Sequence, residues 1–597
     1  MKPILMKTDD KTSRYTMRNP IILSVLLVLT ASFSAIAQEK ETDEKEEEEG
    51  IGTEVVDVVK SYTPTISDAN KIQEKPSLND SITTTKKNID YTIFSVPVAS
   101  TFTPSKGKAT TLKKAAREQL YNSYLSLGLG NYNTALVDFY TSRDFNRDET
   151  FDVLFNHHSS QGDIDGVVLD NNFFDTALEL HYRQRNRYMN WGVFGGIQHQ
   201  IYNWYGLPPD RVDEADNIDE RQNYFTGVVG GDLEFEDSYF KGGRIYYRFF
   251  NDRFKTGENR AVMTPKFQFP AGEEMINIDL ILDYVGGNFD RFYTNEDQLD
   301  YSNALVGVTP GIQILGDDVT VNLGASVFYN HDLESSNNDV FFYPDVSVSY
   351  DIVNEYVTAY GGVDGQLKQN SFYDFAQENP YISPTVEIMP TDQQYNAYVG
   401  VKGRFLPKVG YNLKGSYINE NHKPLYRSNS FYTGPDSGVN NAEGYAYGNS
   451  FGVIYDDVTT ISVFGEVTVD LEDDFSLGVN AEFFDYNTED QAEAWNLPIV
   501  KSSLFFDYQI AKWSVGANVF YVGQREDHID SPSFLESRIV NLEGYFDINA
   551  NLGYEINKQW SAFIRANNIG NSQYERMVYY PVQGVQIMAG AAFKFDL

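Results

Sequence analysis

The sequence contains no cysteine in 597 residues. That absence excludes disulfides, thiolate metal sites and a cysteine nucleophile together. Basic residues are also scarce, 47 Lys and Arg against 85 Asp and Glu. The resulting net charge of −38 argues against nucleic acid as a partner, because phosphate binding needs clustered positive charge. Long apolar runs are missing beyond the first forty residues, so the chain has no segment that would cross a membrane as a helix after that point. Catalytic motifs are missing too. None of the seven histidines (His157, His158, His181, His199, His331, His422 and His528) sits in an HExxH motif, and neither G-x-S-x-G nor a P-loop occurs. His157 and His158 are adjacent, so on a strand they point to opposite faces and chelate poorly. "REDHID", Arg525 to Asp530, reads as a solvated acidic loop. The chain is therefore expected to be no enzyme and to carry no cofactor.

What the sequence does have is aromatic residues and alternation. Aromatics are 15% of the chain, with 42 Tyr and 40 Phe, while mean hydropathy is −0.41. Many aromatics in a polar background suit half-buried strands better than a helical core. Residues 17–37 have a basic start at Arg18, an apolar core from Ile21 to Leu29 and a small-residue end at Ala35–Ala37. This predicts a signal peptide over residues 1–37, cleaved after Ala37. Residues 38–50 hold eight acids and two lysines, and form an acidic leader. Residues 51–118 are broken by Pro64, Pro76, Pro97 and Pro104 and make a short N-terminal segment.

From residue 119 to 597 a two-residue period recurs. In "NLEGYFDINANLGYEI", Leu542, Phe546, Ile548, Leu552 and Ile556 share one face, and Asp547, Asn549 and Asn551 the other. The connections are of two kinds. Ten are short, at "RDFNRDE", "RQRNR", "EFEDS", "PAGEE", "LGDD", "DIVNE", "LPK", "LEDD", "IAK" and "INKQ", and often have an aromatic beside them. Others are long and polar: Asn203–Gln222, Lys368–Gln394 and Asn419–Asn449. Short turns at one end, long loops at the other and flanking aromatics predict an all-β fold, a transmembrane antiparallel β-barrel of the outer membrane. Ten hairpin turns and one strand at each end give 22 strands, with 20 or 18 the alternatives if a hairpin is misread. The short turns, near Asp317, Asn354 and Asn557, are expected in the periplasm, and the loops carrying Asp374 and Asp436 outside. The last strand, "VQIMAGAAFKFDL", must then pair with the first, because a closed barrel leaves no edge.

The closing segment carries Asn567-Asn568, Asn571, Tyr574-Glu575 and Tyr580-Pro581 before its final strand. With the strand count and the signal peptide, it resembles TonB-dependent outer-membrane receptors. The resemblance implies ligand binding by outer loops, uptake into the periplasm, and energy from a TonB-type coupling protein of the inner membrane. It implies that Glu54, Val55, Val56, Asp57, Val58 and Val59, in "EVVDVVK", stand where the family has its TonB-contacting box, a segment that adds a strand to its partner. Phe593, Phe595 and Leu597 stand where the barrel-assembly machinery reads its C-terminal signal, although the family usually ends on the aromatic itself. Only some 68 residues, 51–118, are available for the family's much larger plug, so that domain is shortened or vestigial here. With loops such as Lys368–Gln394, the short segment is expected to restrict the lumen. Partners are then outer-membrane lipid, the assembly machinery and a ligand such as a glycan or an iron chelate. The competing reading is a plugless structural or accessory barrel of an outer-membrane assembly.

Overall fold

The structure, a computed structural model, describes residues 120–597 apart from 273, 432–441, 472–473 and 530–537. The signal peptide, the acidic leader and the 51–118 segment, with Glu54–Val59, lie outside the described residues.

Twenty-two strands make one antiparallel sheet that closes on itself. Each strand pairs with its neighbour in the chain, and Ser123–Gly130 closes the ring against Gln586–Phe595, from Ser123 opposite Phe595 to Gly130 opposite Met588. The two C-terminal residues extend this seam. The Asn122 amide donates to Asp596 Oδ1 at 3.2 Å, and the Leu597 amide donates to Asn122 Oδ1 at 3.0 Å. The departure from an aromatic terminus thus has a local use.

All ten expected short turns join strands at one end of the barrel. Side-chain chemistry sets several of them. Asn186 Oδ1 accepts from the amides of Tyr188 and Met189 at 2.9 and 2.8 Å, and Asn557 Oδ1 does the same for Gln559 and Trp560 at 2.9 and 3.0 Å. These Asx turns offer the backbone a partner where the ladder stops. Loop length sorts less cleanly at the opposite end, where residues 131–134, 253–256 and 333–336 are also tight connections. In the first of these, Tyr132 and Asn133 both have positive φ, 58° and 49°. That is the turn whose twist matches a two-residue hairpin, so the opening stretch is two strands.

The faces follow the alternation. Phe546, Ile548 and Leu552 are exposed on the outer wall. Between them Asp547 accepts from the Tyr574 hydroxyl at 2.8 Å, and Asn549 from the Asn568 amide at 3.1 Å, both inside the barrel. Tyr188, Tyr239, Tyr356, Phe405, Trp513 and Trp560 are exposed beside the short turns, which is the aromatic girdle of a membrane interface. The long alternating run differs in one place. The wall strand begins at Tyr545, and Leu542 belongs instead to a hairpin above the rim, Arg525–Ile529 with Arg538–Leu542. There it is buried under the loops. No helix among the described residues is long and apolar enough to cross a membrane.

Candidate functional site

The long-loop end is filled by its own loops. Residues 369–390 leave the wall after the strand Val357–Lys368, turn inward, and form one short helix, Phe372–Glu378. Asp374 therefore lies inside the mouth of the barrel at its long-loop end, within the loop expected to restrict the lumen. The reason is apolar. Phe372, Phe375 and Ala376 face the lumenal side chains of the wall, Tyr224, Phe250, Phe289 and Tyr301, all buried. Phe372 meets Phe289 edge-on at 4.9 Å and Phe250 at 5.5 Å. Burying these rings against an already aromatic wall removes more apolar surface from water than an extended loop would.

Polar groups fix the register of that helix. Ser371 caps it, accepting from the Asp374 amide at 3.1 Å. Glu258, fully buried on the wall, accepts from the free amides of Phe372 at 2.6 Å and Tyr373 at 3.3 Å, and from the Tyr301 hydroxyl at 2.7 Å. A carboxylate at a helix N-terminus satisfies donors that have no partner within the helix. Two wall arginines complete the latch. Arg248 reaches Asp374 at 3.3 Å and Glu258 at 3.4 Å, with its guanidinium 3.8 Å above the Tyr373 ring. Arg260 holds Asp283 through Nε and a second nitrogen, at 3.0 and 2.7 Å, and Asp374 at 2.7 Å.

Beyond the helix the loops meet over the lumen. Tyr381 stacks on Tyr580 at 3.8 Å, Tyr205 tilts against Tyr580 at 4.8 Å, and Phe451 lies 5.8 Å from it. Trp204 donates to the Tyr381 carbonyl at 3.0 Å. Gly206 is required here, because a Cβ at that position would lie 2.2 Å from the Tyr580 ring. Tyr205, Tyr381 and Tyr580 come from loops after the fifth, thirteenth and twenty-first strands of the ring, so three distant sectors of the wall converge on one aromatic cluster.

Beside the latch, a cavity of about 660 Å³ opens between five strands and residues 387–392. Asp300, Asp332, Glu334, Asp339, Glu387 and Asp392 line it, over a floor that includes Tyr301, Phe341, Leu367 and Ile388. Its size lies within the range of small-molecule sites.

The sequence-based candidates fall in other places. Phe593 and Phe595 stack on each other at 5.3 Å at the seam, Phe593 also packs on Trp560 at 4.6 Å, and Leu597 is exposed at the short-turn end. His157 bonds to Thr176 at 2.7 Å and Ser159 at 3.0 Å, while His158 meets Phe173 edge-on at 5.1 Å, so the pair has separate surroundings. Arg525, of the "REDHID" stretch, donates to the Glu575 carbonyl at 2.7 Å and pins the rim hairpin. Among the described residues no three His, Asp or Glu side chains are gathered to hold a metal ion. Neither the latch nor the cavity was identified from sequence. "SFYDFAQ" does carry a signal for the helix: a capping Ser371 followed by apolar residues at 372, 375 and 376.

This geometry defines a closed, 22-stranded antiparallel β-barrel. No family model and no curated relative matches the sequence. Solved structures do match. The ferripyoverdine receptor of the Pseudomonas aeruginosa outer membrane, bound to ferripyoverdine, superposes with a TM-score of 0.58 at 14% identity, over 81% of this chain and 73% of that one. The FrpB iron transporter of Neisseria meningitidis gives 0.60 at 9%, over 80% and 83%. The copper transporter OprC gives 0.56 at 10%, over 80% and 82%. The chain thus has the barrel fold of TonB-dependent outer-membrane receptors. Those three proteins are a receptor and two metal transporters.

Proposed function

We propose that the protein is an outer-membrane receptor and transporter of the TonB-dependent kind. Its short turns face the periplasm, and its loops take a ligand from outside. The observation that carries the reading is a wide barrel that holds a latched inner helix at its long-loop end, with a ligand-sized cavity beside the latch. A ligand bound there lies against the strand and loop that carry Leu367 and Ile388, the two ends of the latched segment. Binding that favoured an open arrangement of residues 369–390 would admit it to the lumen, in proportion to its differential affinity for the two arrangements. Energy for the opening would come through Glu54–Val59, pairing as a strand with a TonB-type partner. The iron and copper transporters of the same fold support an uptake role, but the ligand class must be argued from this chain's own residues.

Competitive growth and solute uptake in a deletion strain test the reading. Complementation by the full chain should restore uptake, and a chain lacking residues 54–59 should not. Normal uptake by the deletion strain across metal chelates, glycans and amines would overturn it. One feature favours the second reading, an accessory barrel of an outer-membrane assembly. The chain's own loops already close the mouth, so it needs no separate plug to stay shut.

A further inference from the structure

The cavity beside the latch has an unusual charge balance. Six carboxylates line it, and neither lysine nor arginine does. Lys368 and Lys423, next in sequence to cavity residues, both bind Glu420 instead. The carboxylates are met by neutral donors. Asp392 accepts from the Tyr343 hydroxyl at 2.7 Å and Asn421 at 3.2 Å. Asp332 accepts from Ser335 Oγ at 2.6 Å, and Asp339 from Asn337 at 2.9 Å. Asp300 accepts from Gln298 at 2.9 Å. These bonds orient the acids without neutralising them.

A second observation points to a ligand. Asn330 lines the same cavity and is 6% exposed, yet its side-chain oxygen has no hydrogen-bond partner. A buried acceptor left without a donor costs roughly 1–3 kcal/mol. The cavity is rich in acceptors, its donors are hydroxyl, amide and imidazole groups such as Ser302, Asn303, Asn421 and His422, and neither lysine nor arginine supplies it with positive charge.

The form of a cation that would supply it follows from the arrangement. No three acids converge as they would around one metal ion. The charge is distributed around a cavity whose floor is Tyr301, Phe341, Leu367 and Ile388. Separated positive charges joined by hydrocarbon match both features. The methylenes cover the apolar floor, and each ammonium has three donors for the acids and for Asn330. We propose that this cavity binds a linear organic polycation of the aliphatic polyamine class. The proposal rests on the receptor reading only for which end meets the medium, and it gives that reading a ligand class.

Calorimetry on the full-length protein in nanodiscs, with spermidine as probe, tests it. Saturable binding of one spermidine per barrel is expected. A triethylene glycol ether of similar length should not bind, and magnesium should not displace the amine at equal concentration. The variant D300N/D339N/E387Q should bind at least about tenfold more weakly, through loss of three charge contacts. D210N/D213N/D216N, which removes as many charges from the separate segment Pro209–Asn217, should bind like the parent. Asn330→Leu keeps every charge and should also weaken binding, which covers a failure of the triple variant to fold. Equal weakening by both triple variants would reduce the effect to bulk attraction by an acidic protein and overturn the site. So would absence of saturable binding, or displacement by magnesium. Binding without uptake in cells would leave the site standing and count against the transport reading alone.

Discussion

Ile548 and Asn549 are neighbours that meet different solvents. Ile548 is exposed on the outer wall, while Asn549 accepts from the Asn568 amide inside. A charge on the lipid face near mid-bilayer costs about 2–4 kcal/mol. Ile548→Arg should therefore impair refolding into bilayers by that order, and Asn549→Arg much less, as read by urea titration. This face assignment was legible in the sequence because the period of two depends only on adjacent residues. Asp527 was not legible. It is fully buried in the rim hairpin and accepts from the amides of Ser428 at 3.1 Å and His528 at 2.7 Å, while its other oxygen has no partner. Burial is the main cause that pushes its pKa from the ordinary 3.8 up to about 6, against the hydrogen bonds that the Ser428 and His528 amides donate to it. The raised value means the folded hairpin holds a proton that the unfolded chain has lost. Stability is thus fully present below about pH 4 and falls as pH rises through 6, by on the order of 3 kcal/mol. The protection of residues 525–529 relative to the intrinsic exchange rate at each pH should rise on acidification from pH 7 to 5, and Asp527→Asn should abolish that rise. The segments that bury Asp527 lie far from it in the chain, so no local pattern marks it.

At the scale of the element, the helix Phe372–Glu378 is too short to be stable alone, and its order depends on its anchors. Exposure ranks those anchors. The Asp283 side chain is 3% exposed and Asp374 45%. Arg260→Ala leaves Asp283 buried without its partner, at a cost of about 3–5 kcal/mol. Ser371→Ala removes the cap, at about 1 kcal/mol. Asp374→Ala loses contacts that are half in water, worth under about 1 kcal/mol each. Because Asp283 lies on the wall, R260A should lower the stability of the barrel, whereas hydrogen exchange of residues 372–378 should accelerate more in S371A than in D374A, and the reverse order would refute the latch. The cap and the spacing of Phe372, Phe375 and Ala376 were readable in sequence. What the helix packs on was not, since Arg248, Glu258 and Arg260 look like any lumenal charges of a barrel strand.

For the whole molecule, the strand count was legible because it follows from local hairpins, and all ten short turns fell where turn chemistry placed them. The closure was not. Tyr205 and Tyr381 lie in two long polar loops and Tyr580 in the closing segment, and only the closed ring brings them to one cluster. A barrel of this width would otherwise leak. Single-channel recording should therefore find low conductance in the intact protein. A chain lacking residues 51–118 should conduct more, and low conductance that persists without them would assign the restriction to the loops alone. Replacing residues 371–388 by a Gly-Ser linker should raise it. A large, steady current from the intact barrel would contradict the closure.

The seam sets an order in time. Of the 22 strand pairings, all but one join consecutive strands, and the exception links Ser123–Gly130 to Gln586–Phe595. Neighbouring hairpins can form as soon as each pair exists, since local contacts close quickly. The last contact, between Asn122 and Leu597, spans 475 positions and has to wait for all the others. Until then the sheet has two unpaired edges, one waiting at its beginning and one not yet made. The growing barrel therefore spends nearly its whole assembly as an open template for the wrong partner. The pairing that depends on every other is the meeting of the first strand with the last.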